Sequence, residues 1–166
     1  MYSDLGQIKR AGGECSKIML RIMNSRSRNA VLASLGRLLT ENRAAIVAAN
    51  RLDIAACPPD DAVILDRLKV DEDKIESMIA SVRSVMAAID PVGRVIASYT
   101  RENGLRIENR QVPFGTILII YEARPDVSIE AAIIAVKAGN KILLKGGKEA
   151  RHTNLFLADL WRRALE

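Results

Sequence analysis

Residues 112–150 constrain the fold of this chain more than any other stretch. Thr116-Ile-Leu-Ile-Ile-Tyr121 is a run of β-branched and apolar residues suited to a strand buried on both faces. Pro113, just before it, ends any preceding strand, because proline has no amide to give to a ladder. Residues 128–138 read as a helix, and Gly139 suits the left-handed position that closes one. Residues 141–144 read as a second short strand, and Gly146-Gly147 leads into a last helix over 149–165. Strand, helix, strand, glycine turn and helix is the order of a βαβ unit, which calls for a parallel sheet with a right-handed crossover. The expected class is α/β, a Rossmann-like parallel sheet in its first βαβα units. Two strands make no stable open sheet. The chain ends on an amphipathic helix where a third strand is due, so it reads as truncated.

Upstream of residue 93 the pattern is helical. Residues 4–23 carry Leu5, Ile8, Cys15, Ile18, Met19 and Ile22 on an i, i+3/i+4 stripe, weakened by Gly12-Gly13. Residues 28–56 continue as helix, with Val31, Leu32, Leu35, Leu38, Leu39, Ile46, Val47 and Leu52 on the apolar side. Cys57-Pro-Pro-Asp-Asp61 breaks that pattern. Asp71 stands as an N-cap, its carboxylate facing the free amides of the next turn. The helix it opens carries Ile75, Met78, Ile79, Val82, Val85, Met86 and Ile89 before Pro91. From Gly93 the period changes to two. Residues 94–100 and 105–112 form candidate strands around Glu102-Asn103-Gly104, and Asn-Gly is the strongest short hairpin signal. Three parts follow: a helical region over 1–92, a hairpin over 93–113, and the βαβα units over 114–166.

Composition removes several classes. The net charge of +5 would suit a polyanion, but the basic residues are scattered and only 4% of residues are aromatic, so no stacking platform for nucleic acid exists. Cys15 and Cys57 stand alone, with neither a second Cys nor a His at ligand spacing, which argues against zinc and against disulfides. His152 has no partner pattern either. The start lacks a charged and apolar leader, and no apolar run approaches the roughly 20 residues that cross a bilayer. A cytoplasmic protein with no membrane or nucleic-acid partner and no metal is expected.

Two segments carry chemistry. A turn that follows a parallel strand and opens a helix offers free amides and a positive dipole to an anion. Lys145-Gly146-Gly147-Lys148 has that place, with two ammonium groups beside glycines that permit close approach. The same four residues also read as a plain helix start with solvated lysines, since they match neither dinucleotide fingerprint nor Walker loop. Tyr121-Glu122-Ala123-Arg124-Pro125 follows the other strand. Its Glu and Arg either line the ligand crevice at the carboxyl end of the sheet or pair with each other there.

Val112-Pro-Phe-Gly115, Ile120-Tyr-Glu-Ala-Arg-Pro125, Lys137-Ala-Gly-Asn140 and Lys145-Gly-Gly-Lys-Glu-Ala150, with His152 and Asn154, resemble the γ-glutamyl phosphate reductases of the aldehyde dehydrogenase superfamily. Ala48-Ala-Asn-Arg-Leu-Asp53, Leu65-Asp-Arg-Leu68, Asp90-Pro-Val-Gly93 and Asn103-Gly-Leu-Arg-Ile107 extend the likeness upstream in the same order. The resemblance implies reduction of L-glutamyl 5-phosphate to glutamate 5-semialdehyde with NADPH, through a cysteine thioester. It implies a dinucleotide site that includes Lys145, Gly146, Gly147, Lys148 and Tyr121, with Lys145 at the adenosine ribose and Lys148 favouring a 2′-phosphate. It places Glu122, Arg124, Pro125 and Asp126 in the substrate cleft, and makes the 93–113 hairpin the strand pair that joins subunits into a homo-oligomer. Asp126 stands where the family usually has Asn. The family's nucleophilic cysteine falls beyond Glu166, and neither Cys15 nor Cys57 lies in a matching motif. The expectation is thus an N-terminal portion without turnover of its own, or else a non-catalytic association module.

Overall fold

A computed structural model describes residues 16–18, 24–58 and 60–166. Helices α1 (Ser25–Glu41) and α2 (Arg43–Ala56) occupy the stretch expected to be one helix. Asn42 separates them: its side-chain amide donates to the Leu38 carbonyl at 2.7 Å, and its own backbone leaves the helical region at ψ 18°. Asparagine that bonds locally competes with the helix ladder, which is why the break falls there. The short helix α3 (Ala62–Leu68) was not foreseen, although Asp61 caps it by accepting the Ile64 amide at 3.1 Å. Helix α4 (Glu72–Ala87) starts as expected, with Asp71 accepting the Lys74 amide at 3.0 Å.

The first described segment, β1 (Ser16–Ile18), corrects the expectation of a helix there; the rest of residues 4–23 lies outside the described residues. Strands β2 (Val95–Thr100) and β3 (Arg106–Arg110) form the expected antiparallel hairpin, with an irregularity between Val95 and Ala97. Strand β4 (Thr116–Ile120), helix α5 (Val127–Lys137), strand β5 (Lys141–Lys145) and helix α6 (Arg151–Leu165) follow in the expected order, with a single 3-10 turn at Lys148–Ala150. Strands β4 and β5 pair in parallel, and β1 adds antiparallel on the far side of β5, giving the order β1-β5-β4. Gly139 closes α5 at φ 74°, a backbone state that β-carbons disfavour.

One apolar cluster unites α1, α4, α5 and α6 with one face of the sheet. Leu32, Leu35, Leu39, Ile75, Met78, Ile129, Ile133, Ile142, Leu157 and Trp161 lie in it, all wholly buried. Lys137 is buried too. Its ammonium donates to Asn29 Oδ1 at 3.0 Å and to the Met86 carbonyl at 2.9 Å, which ties the end of α5 to α1 and to the carbonyl end of α4.

Among the described residues, little covers the opposite face of the sheet. Ile117 and Ile119 pair in register with Ile142 and Leu144 over the core, whereas Leu118 and Ile120 are 55% and 67% exposed. The expectation that β4 is buried on both faces therefore fails. Its sequence suits two covering layers, and the described residues supply one.

Candidate functional site

The carboxyl ends of β4 and β5 meet at the start of α6, and three contacts fix that junction. The Tyr121 amide donates to the Lys145 carbonyl at 3.0 Å, prolonging the ladder by one residue. The Gly147 amide donates to the Glu122 carbonyl at 3.4 Å. The Tyr121 hydroxyl donates to Asn154 Oδ1, on α6, at 3.3 Å. Burial pushes the Tyr121 phenol up to about 12, against a small opposing effect of a hydrogen bond with Ser128, so the ring acts as a neutral donor across the working range.

The glycines serve this packing. A β-carbon on Gly146 would lie 2.2 Å from Asn154 Nδ2 and 3.1 Å from the Tyr121 ring and hydroxyl. On Gly147 it would lie 3.3 Å from the Glu122 backbone. The close approach that glycine permits is thus made by the chain's own residues.

Two amides at the start of α6, those of His152 and Thr153, are already taken. Asp53 reaches across from α2, 2% exposed, and caps the helix from about a hundred residues away. Its Oδ1 accepts the His152 amide at 2.8 Å and lies 2.8 Å from His152 Nδ1, while Oδ2 accepts the Thr153 amide at 2.8 Å and the Thr153 hydroxyl at 2.6 Å. Ala150, in the capping position, has no side chain able to do this. Asn50, one turn earlier on α2, accepts the Val70 amide at 2.8 Å and donates to the Leu68 carbonyl at 2.8 Å and to Thr153 Oγ1 at 3.2 Å. A carboxylate thus takes the His152 and Thr153 amides, whereas the 3-10 turn that opens at Gly147 has no side-chain cap. Asn50 and Asp53 were missed as site residues. The usable signal is that both continue the stripe of Ile46, where a polar residue must find partners when buried.

Cationic side chains remain. Lys148 is exposed and Lys145 half-buried, and neither has an ion-pair partner among the described residues. Lys145 shares the little-covered sheet face with Leu143 and stands in register with Ile120. These residues fit a phosphate reached by lysine side chains from that face. They do not fit a pyrophosphate lying on the amides of α6.

The residues after β4 divide by direction. Glu122 is exposed and 3.9 Å from Arg67 of α3, so it does not pair with Arg124. Arg124 is exposed and has no ion-pair partner among the described residues. Pro125 is buried, and Asp126 is 5% exposed, its Oδ2 3.0 Å from Lys74 of α4 and its Oδ1 without a hydrogen-bond partner among the described residues. Asp126 thus faces inward. Cys57, at the end of α2, is half-buried. Desolvation, with the carboxylates of Asp61, Glu149 and Asp60, pushes its thiol up, the opposite of what a nucleophile needs. Among the described residues no group of three His, Cys, Asp or Glu side chains could hold a metal, and no helix is long and apolar enough to cross a membrane.

No protein-family model matches the chain. Gamma-glutamyl phosphate reductase of Desulfotalea psychrophila is 45% identical over 150 residues, which cover 89% of this chain and 36% of that protein. The enzyme of the same name from Ligilactobacillus salivarius is 36% identical over all 166 residues, 40% of its own length. The crystal structure of gamma-glutamyl phosphate reductase from Thermotoga maritima superposes with a TM-score of 0.81 at 39% identity, covering 87% of this chain and 36% of that one. That of Saccharomyces cerevisiae gives 0.80 at 30% identity. In sequence and in fold, the chain belongs to the gamma-glutamyl phosphate reductases and spans about a third of the length of the relatives it matches.

Proposed function

We propose that this chain forms part of an NADPH-dependent reductase of L-glutamyl 5-phosphate, an enzyme of proline biosynthesis acting in the cytoplasm. The observation that carries the reading is 45% identity to a gamma-glutamyl phosphate reductase across 89% of the chain. NADPH would supply the hydride. The chain's own part is to hold and orient. Lys145 and Lys148 meet the phosphate-bearing ribose, and the Gly146-Gly147 turn keeps both ammonium groups at the carboxyl edge of the sheet. Tyr121 braces that turn as a neutral hydroxyl. Glu122 and Arg124 face the substrate side, where the guanidinium of Arg124 suits a phosphate or a carboxylate. Pro125 and Asp126 support that loop from beneath. Neither cysteine serves as the nucleophile, and by itself the chain does not turn over substrate.

Calorimetric titration of the chain with NADPH and NADH at low salt tests this. The expected result is binding of NADPH at least about tenfold tighter, lost in Lys145→Ala, since a 2′-phosphate adds a charge that Lys145 and Lys148 answer in this reading. Equal affinity for both, or a Lys145→Ala variant that binds like the parent, overturns the site. The 93–113 hairpin is the proposed subunit contact. All six residues of β2 are exposed, Ile96 and Tyr99 among them, as a strand held for a neighbouring copy would be.

A further inference from the structure

The cap on α6 comes from a residue that no motif for nucleotide binding contains. We infer that Asp53 is a positioning residue that sets the Lys145–Lys148 turn and thereby determines the preference for a phosphorylated ribose. The inference rests on the coenzyme reading above.

The argument runs through one rigid junction. Asp53 holds the amides of His152 and Thr153 and the Thr153 hydroxyl, and so fixes where α6 starts and which way it points. Asn154, the next residue, reaches Tyr121 and presses against Gly146. Lys145 and Lys148 flank that glycine turn, tied by the Glu122 carbonyl to β4. A shift of the first turn of α6 therefore moves Asn154 against Gly146, and the two ammonium groups with it. Packed glycine leaves no slack to absorb the shift.

The carboxylate has a second effect. It neutralises the positive end of α6 from within, where a ligand phosphate would otherwise be drawn. Anion recognition at this junction then falls to the lysine side chains. Two long cations recognise a terminal phosphate on a ribose, whereas an internal pyrophosphate is commonly met by backbone amides. Asp53 thus steers the site toward discrimination at the 2′ position. Asn50 secures the same register from beside it, through Thr153 and the Val70 amide.

The test compares the parent chain with Asp53→Ala and Asp53→Asn, using hydrogen exchange across residues 145–154 together with titration by NADPH and NADH. In Asp53→Ala the amides of the turn and of the first turn of α6 should exchange at least about tenfold faster. Those of α1 and α4 should stay protected, which establishes that the variant is folded. NADPH affinity should fall at least about fivefold and NADH affinity less than about twofold. Asp53→Asn, which keeps one acceptor oxygen, should fall between parent and Ala. Unchanged exchange over 145–154 overturns the inference. So does loosening throughout the chain with equal loss of both coenzymes, which is the result of a merely structural role. If the parent chain binds neither coenzyme, the coenzyme reading fails, and hydrogen exchange alone then decides whether Asp53 positions the turn.

Discussion

Replacing Lys74 by methionine should destabilise the chain more than replacing its partner, Asp126, by asparagine. The asymmetry follows from burial. The Asp126 side chain is 7% exposed and that of Lys74 is 37%, with 3.0 Å between Oδ2 and Nζ. The other carboxylate oxygen, Oδ1, is buried and has no hydrogen-bond partner among the described residues. At that separation the attraction is about 5 kcal/mol for an effective dielectric constant near 20. Desolvation of the carboxylate and solvent at the lysine end cancel much of it. Lys74→Met keeps the aliphatic stem but leaves a buried charge with neither an ion nor a donor, for a loss of about 2–3 kcal/mol. Asp126→Asn removes the charge itself, and the ammonium left behind turns to water, for about 1 kcal/mol.

The double variant should lie near the single Asp126→Asn, because no buried charge remains to be orphaned. A double-mutant cycle should then give a coupling of about 2–3 kcal/mol, the whole cost of Lys74→Met in the parent. Urea unfolding followed by circular dichroism reads all four proteins. In melting temperature Lys74→Met should fall by about 5–10 °C, at roughly 2–4 °C per kcal/mol for a chain of this size. A Lys74→Met variant within about 0.5 kcal/mol of the parent, or strict additivity in the cycle, would refute the reasoning. Family members that carry Asn in this place, as the resemblance suggests, would have no need of the lysine.

Gly146→Ala should cost about 1–3 kcal/mol, since its β-carbon would meet a short side chain fixed on a helix. Gly147→Ala should cost less, because the nearest atom to its β-carbon is the movable end of Glu149; thermal melts of both variants check the order. Asp90 lies below the ordinary carboxylate range: burial alone would raise it, but hydrogen bonds from Ser25, the Val92 amide and Arg28, which is 2.5 Å away, outweigh that effect. Because the folded value is depressed, its contribution is complete above about pH 4 and fades as pH falls through the folded value. Urea midpoints from pH 6 down to 2 should show that acid slope flattened in Asp90→Asn. Ile96→Lys in the hairpin should lower the molar mass by light scattering if β2 joins copies; an unchanged mass removes the hairpin as the contact.

The local signals in the sequence were good guides where the cause of the structure is local. Asp71 caps the helix it precedes, Gly139 closes the helix it follows, and Asn103-Gly104 turns the hairpin. Asn42 was illegible because the apolar stripe runs on through it, and its own side chain, bonded to Leu38, marks the end of α1. The segment at Ser16–Ile18 took strand form because the open side of β5 pairs with it, and no propensity in the segment itself announces that. Thr116–Ile120 shows the converse limit. An apolar run states what a strand can be buried against, while the presence of that cover is a fact about other residues.

The site was legible as a place but not as a mechanism. Lys145-Gly-Gly-Lys148 read either as an anion site at the free end of a helix or as a plain helix start, and the Lys137-Ala-Gly-Asn140 motif carried only resemblance. In the fold, Lys137 joins three helices and Asn140 accepts the Gly115 amide at 3.0 Å, so that motif sets the spacing between β4 and β5. Asp53 caps α6 from a separation of 99 residues or more, which no window of sequence reveals. Yet the reason for its identity is plain in physical terms. The first turn of a helix has amides that need an acceptor, Ala150 cannot give one, and Thr153 there is buried. A carboxylate from a neighbouring helix, that of Asp53 on α2, meets the need.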